Sequence, residues 1–327
     1  MTLATLAIAL ILHPSSIQGR KDQGTLAKYY AAIAPELKAR RAAWDNSLTK
    51  LKDASTEFYA PVQAAIDKAG LDTKKLAEAT RDAVKRNIVN GKPDEKFQSN
   101  VRAAMSYDTL APYIDMAAIE RARTKYYALV PDQSKHDSKK VTKTEADVQT
   151  DVLYVAPFTD AGMTDRYTTS NSADANTGDF AAAQSAIEIG SVNAVSSIRQ
   201  AVTIPAGTRQ VRVVAEIRTG HNLTVASVIG YASGEDLLNL HVMSGSRVLA
   251  SDRQSLGRIV SIAVGEVSRF GMRTISLTTS FLVDSTLPPQ IDVIADAEAW
   301  AGAAGLFAYS NSYINGHLNS IHVYFDR

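Results

Sequence analysis

Between Leu129 and Asp151 the apolar period of this sequence changes from three-to-four residues to two, and no other feature limits its possible folds as strongly. Upstream the spacing is that of amphipathic helices; downstream it is that of strands. Such a chain is expected to be a segregated α+β protein, with an N-terminal antiparallel helical bundle or hairpin followed by a C-terminal antiparallel β-sandwich, the jelly roll being one form of it. The chemistry changes at the same place. No lysine follows Lys143, and residues 1–150 hold 24 Lys+Arg against 18 Asp+Glu, whereas residues 151–327 hold 11 against 16. At 327 residues the chain is long enough for two cores. The polar run from Pro131 to Thr150 has neither period and divides the sequence into an apolar arm (1–23), a helical domain (24–130), a linker (131–150) and a β domain (151–327).

In the helical part, Leu37, Trp44, Leu48, Leu51, Phe58 and Val62 recur at nearly coiled-coil spacing, with Ser55 in the seam. Gly70 is placed to stop that helix and Asp72 or Thr73 to cap the next; a third helix is expected from Asp94 and a fourth after Asp108-Thr109. Pro35, Pro61 and Pro112 read as helix starts or kinks. The basic pairs Lys74-Lys75 and Lys85-Arg86 are interleaved with Asp72, Glu78 and Asp82, so a solvated mixed face is favoured over a nucleic-acid surface. The seam residues Trp44, Leu48 and Leu51 are candidates for pairing with another copy of the chain, as readily as with its own chain.

Met1 to Leu12 is apolar, but no basic residue precedes its apolar run and no small-x-small site follows, so it does not read as a cleavable signal peptide; it is also too short to span a bilayer. Leu3, Leu6, Ile8, Leu10, Ile11 and Leu12 are therefore expected to be buried, either on their own chain or on a neighbouring subunit.

Nine short strands are expected after Asp151, from Ile198–Ile204 to Ser320–Asp326, with turns at Pro205-Ala206-Gly207, Ser244-Gly245-Ser246 and Pro288-Pro289 and a long polar loop over Phe158–Ser185. The most organised chemistry lies in Ile291 to Trp300. Alternation puts Asp292, Ile294, Asp296, Glu298 and Trp300 on one face, and three carboxylates beside an indole could hold a calcium ion or the hydroxyls of a sugar. Ion pairing on a wetted sheet face, with Arg212, Glu216 and Arg218 opposite, accounts for the same residues without a ligand. Asp174, Asn176 and Asp179 begin like part of a calcium loop, but Ser185 stands where the closing acid belongs. Calcium is the one cofactor these patterns could take; otherwise none is expected.

The six histidines form no metal motif, and His317 and His322, five apart, fall on opposite faces of a regular strand. The absence of cysteine removes disulfides, thiolate nucleophiles and Cys-bearing metal sites. There is no Gly-x-Ser-x-Gly elbow and no Gly-rich phosphate loop. The sequence therefore points to a non-enzymatic assembly protein, a helical docking domain displaying a β-sandwich in a multimeric particle such as a phage virion. Its partners would be copies of itself and other particle proteins, with no nucleic acid and no membrane span, and its location the virion or the extracellular space. The alternative is a secreted carbohydrate-binding or toxin-like module whose sandwich binds a glycan.

Overall fold

The computed structural model describes residues 24–89, 92–130, 133, 149–164 and 171–327. The apolar arm, and with it the six expected contact residues Leu3 to Leu12, lies outside them.

Helix α1 (Gly24–Lys68) continues through both Pro35 and Pro61. It stops where the sequence indicates: Gly70 takes φ +68° and the Leu71 N–H returns to the Ile66 carbonyl at 3.0 Å. Asp72 then caps α2 (Thr73–Arg86) by accepting from the Lys75 N–H at 2.9 Å. A two-residue hairpin, β1 (Ile88–Val89) with β2 (Lys92–Pro93), leads to α3 (Phe97–Ala104), α4 (Tyr107–Leu110), a 3-10 turn (Ala111–Tyr113) and α5 (Met116–Tyr127), which Asp115 caps.

The β part starts at Gln149 and is built differently from the expected nine short strands. Three short strands, β3 (Gln149–Tyr154), β4 (Asp160–Thr164) and β5 (Ser172–Asp174), flank four very long ones: β6 (Asp179–Thr203), β7 (Gln210–Ser244), β8 (Arg247–Leu282) and β9 (Gln290–Asp326). All pairings are antiparallel, and the long strands run in the order β6-β9-β7-β8. Of the expected turns, 244–246 closes a hairpin between β7 and β8, whereas 205–207 carries the chain from β6 to β7 and 288–289 from β8 to β9, strands that are not neighbours. The expected polar loop contains β4, β5 and the start of β6.

A single line of irregularities crosses all four long strands. Ile229 in β7 and Ala263 in β8 have φ of 50° and 58°, Gly305 in β9 has φ of 144°, and the β6 register slips between Ile187 and Ile189. Only glycine fits at 305, since a Cβ there would lie 2.3 Å from the Gly230 Cα. At this line the sheet doubles back on itself. The Trp300 N–H donates to Ser312 Oγ of the same strand at 3.1 Å, and Ser196 Oγ to the Ala181 carbonyl of the same strand at 2.5 Å. Leu223 Cδ2 lies 3.3 Å from where Gly234 would carry a Cβ, although a straight strand would hold them about 36 Å apart. Between the halves lies the larger β core, with Val211, Val213 and Ile217 from one half and Leu238, Leu240 and Val242 from the other.

The helices do not form a bundle with a core of its own. They cover the outer face of one half of the doubled sheet, and one apolar cluster joins Trp44, Leu51, Ile66, Val84, Phe97 and Ile119 to Leu237, Ile262, Trp300 and Tyr309. The expectation that the Trp44, Leu48 and Leu51 seam would be free to pair with another copy is corrected accordingly. Trp44 stacks 5.8 Å from Trp300, Leu51 is fully buried, and Leu48 sits over Gly302, whose missing side chain makes room for both Trp44 and Leu48. The seam is apolar because a sheet, not a second helix, covers it. Among the described residues no helix is long and apolar enough to cross a membrane.

Candidate functional site

The alternating row of β9 falls on one face as its period indicates, and that face is the one α1 lies upon. Asp296 and Glu298 are each 1% exposed, Trp300 is fully buried and Asp292 nearly so. At the near end of the helix, Leu26, Tyr29 and Ile33 pack on Met243 and Ile294. About two turns further along, at Arg40, the polar face of α1 meets the two acids. Arg40 donates to both oxygens of Glu298, at 2.7 and 2.8 Å. Both bonds come from the one nitrogen Nη2, a charge-assisted contact shared between the two carboxylate oxygens.

Strands β7 and β8 complete the network. Asn239 Nδ2 donates to Asp296 at 2.6 Å and to Glu298 at 3.2 Å, while its own carbonyl oxygen accepts from Arg253 Nε at 2.5 Å. Arg253 in turn pairs with Glu36 of α1 at 2.6 Å. The Tyr29 hydroxyl donates to Asp296, and His241 Nε2 stands 3.6 Å from the same carboxylate. Gln133, from the segment read as a linker, is buried here and contacts both Arg40 and Arg253.

Burial and the charge of neighbouring Glu298 push the Asp296 carboxyl up to about 7, against the opposing pull of the Tyr29 and Asn239 hydrogen bonds and of Arg253. Burial and the Asp296 carboxylate push the Tyr29 phenol well above its ordinary value. Glu36 moves the other way: burial raises it, but Arg253, Arg40 and His241 together bring it below the usual carboxylate range. These groups bond mainly to one another, and Asp296 and Glu298 are shielded from solvent. The arrangement locks α1 to the sheet, and Trp300, with the Arg40 guanidinium 5.4 Å from its ring centre, offers no open stacking surface. Asp292 stands apart, paired with Arg199 at 2.7 Å. The alternative partners Arg212, Glu216 and Arg218 are on the other half of the doubled sheet, where Arg212 covers Tyr324 and Glu216 accepts from Asn319.

The second expected site is a hairpin. Asp174 accepts from the Asn176 N–H at 2.9 Å and, through its carbonyl, from the Gly178 N–H at 2.8 Å, while Asp179 pairs with His317 at 2.8 Å. Among the described residues no three His, Cys, Asp or Glu side chains gather as metal ligands would. His317 and His322 share one face after all, because the register slips by one residue at Asn319; His322 bonds Asp151. Sequence reasoning missed Tyr29, Arg40, Asn239 and Arg253, for which no local pattern gives a signal.

The chain matches no known family model and no curated protein. Part of it aligns with TmCBM61, solved in complex with β-1,4-galactotriose, at 14% identity over 38% of this chain and 67% of that one, with a TM-score of 0.16. Latent PorU from Porphyromonas gingivalis aligns at 14% identity over 61% of this chain and 15% of its own length, TM-score 0.19. A chain of the infectious bursal disease virus Gx strain aligns at 10% identity over 61% of this chain and 42% of that one, TM-score 0.16. Likenesses this slight carry no argument about the chain's activity.

Proposed function

We propose that this chain is a non-enzymatic structural protein that assembles with copies of itself and with other particle proteins, as a virion component does. The observation that carries the reading is the strand order. Four long strands in the order β6-β9-β7-β8, each creased at the same line, give two layers of four in which each strand contributes to both, and this supports reading the doubled sheet as a jelly roll. Jelly rolls serve capsids and lectins, and fold alone does not choose between them. The helical layer tips the balance. It seals one outer face and leaves the other bare, which suits a unit with a base and a displayed surface. The densest ionisable cluster, Asp296 with Glu298, Arg40 and Arg253, is spent on holding that layer in place, so no reaction is assigned to it. The same reading places the protein in the virion or outside the cell.

Native mass measurement with negative-stain imaging tests the reading. Closed particles or a fixed oligomer support it; a monomer at every concentration overturns it. A chain starting at Gln18, lacking the apolar arm, should keep its circular dichroism and lose its high-mass species. Six large apolar residues at roughly 1.5 to 3 kcal/mol each, less the cost of ordering, are enough to decide association.

A further inference from the structure

The face that the helices leave uncovered has one irregular spot. On the outer side of this half, β8, β7 and β9 bring together two rows by register: Met272, Gly220 and Asn315 in one, Phe270, Asn222 and Tyr313 in the next. Gly220 has no side chain where its neighbours do, and the result is an open cleft of about 520 Å³ lined by these six residues with His221 and Gly271. A Cβ on Gly220 would come within 2.7 Å of Asn315 Oδ1 and 3.6 Å of Met272 Cγ, so glycine alone keeps the floor empty.

The walls are of two kinds. Phe270 is 80% exposed and Met272 74%, the two most exposed large apolar side chains among the described residues. Facing them are neutral hydrogen-bonding groups. Asn222 accepts from Thr224 Oγ1 at 3.1 Å, which leaves its amide N–H groups without a partner among the described residues, and the Asn315 side-chain amide has none there either. Tyr313 lies across Ala181 and Ala183 of β6 and closes the far side. No carboxylate, lysine or arginine lines the cleft. Below the floor, His221 rests against Gly271, with both ring nitrogens unpartnered, and burial with the nearby Arg273 and Arg269 lowers it to about 4, so it adds no charge.

We propose that this cleft binds an uncharged saccharide ring. A pyranose has an apolar C–H face that suits an exposed phenyl and thioether and an equator of hydroxyls that suits two free amides, and it needs no counter-charge. A protein partner would instead be expected to want a wider dry surface than two side chains around a polar floor. The proposal is independent of whether the chain assembles.

The test is an array of galactose-, glucose- and N-acetylglucosamine-terminated oligosaccharides with their sialic- and uronic-acid-capped counterparts, followed by titration of the free sugars against the full chain. Binding to uncapped sugars is expected. Phe270→Ala should weaken it roughly tenfold or more, and Gly220→Val, a β-branched residue on an open sheet face, should abolish it while leaving the melting temperature within a few degrees. Failure of every sugar to bind, or binding that survives both variants, overturns the proposal. So does a loss of oligomer mass in Phe270→Ala without any sugar effect, which would make the patch a protein contact.

Discussion

The two outer faces of the doubled sheet are written in the same alphabet and end in opposite environments. On one, Asp296, Glu298 and Arg253 alternate with core residues and are sealed under α1; on the other, Arg212, Glu216 and Arg218 alternate with Val211, Val213, Ala215 and Ile217 and meet solvent. On the covered face Glu298 and Arg253 are each paired with an oppositely charged side chain of α1, since an ion removed from water is tolerated only with a partner at hand. Those on the open face, Glu216 and Arg218, stay exposed to water. A period of two therefore identifies a face without saying what covers it.

The largest effect expected from this contrast follows removal of Arg40. Arg40→Ala leaves Glu298 buried and uncompensated and should cost about 3 to 5 kcal/mol, read as a drop in the urea midpoint at unchanged slope. A cost below about 1 kcal/mol would mean that water reaches Glu298 and that the two faces differ less than their geometry indicates. Next in size is Gly302→Val, which drives a side chain into Trp44 and Leu48, each 2.8 Å from the position of its Cβ. It should cost about 1 to 3 kcal/mol, partly recovered on adding Leu48→Ala. If the second change recovers nothing, α1 does not rest on Gly302.

The effect of pH is smaller and has a definite sign. A carboxyl whose folded value is raised to about 7 stabilises the fold fully below its unfolded value and loses that contribution as pH rises through 7. Glu36, lowered in the fold, acts in the opposite sense, its contribution being lost as pH falls. Comparison with Asp296→Asn isolates the first: between pH 5 and 8 the unmodified chain should lose several degrees of melting temperature relative to the variant. Parallel pH curves for the two chains would place Asp296 in contact with solvent. Smallest of all, Arg218→Ala on the open face should change stability by less than about 0.5 kcal/mol, measured by the same denaturation.

Much of the local structure was legible in the sequence. Gly70 and Asp72 mark a helix end and a helix start by chemistry that acts within five residues, and the alternation of Ile291 to Trp300 reports a real face. The strand count was not legible, because the crease carries glycine at Gly230 and Gly305 but no cluster of turn residues on β7, β8 or β9. Ile229 and Ala263 carry positive φ with ordinary side chains, and the ladders resume on either side, whereas polar stretches such as Arg253-Gln254-Ser255 look like interruptions and are not. The covering of the acidic row was invisible for another reason. Tyr29 and Arg40 stand more than 250 residues before the acids they bind, and pairing over such a distance leaves no trace in any local period.

The position of β9 sets the order of events for a growing chain. It is the last of the four long strands to be synthesised, yet it lies between β6 and β7, so Asp179 must wait for His317 and Thr203 for Gln290. Until then β6 has no neighbour along one edge, β7 has only β8, and the seat of α1 lacks Ile294, Asp296, Glu298 and Trp300. Closure of such long loops before any contact rewards it is slow, and open strand edges are sites of misassociation. Folding during synthesis would leave the part of α1 that meets β9, Trp44 above all, uncovered until the final strand arrives. Refolding from denaturant is then expected to be concentration-sensitive, with the helical signal recovering well before the burial of Trp44 and Trp300.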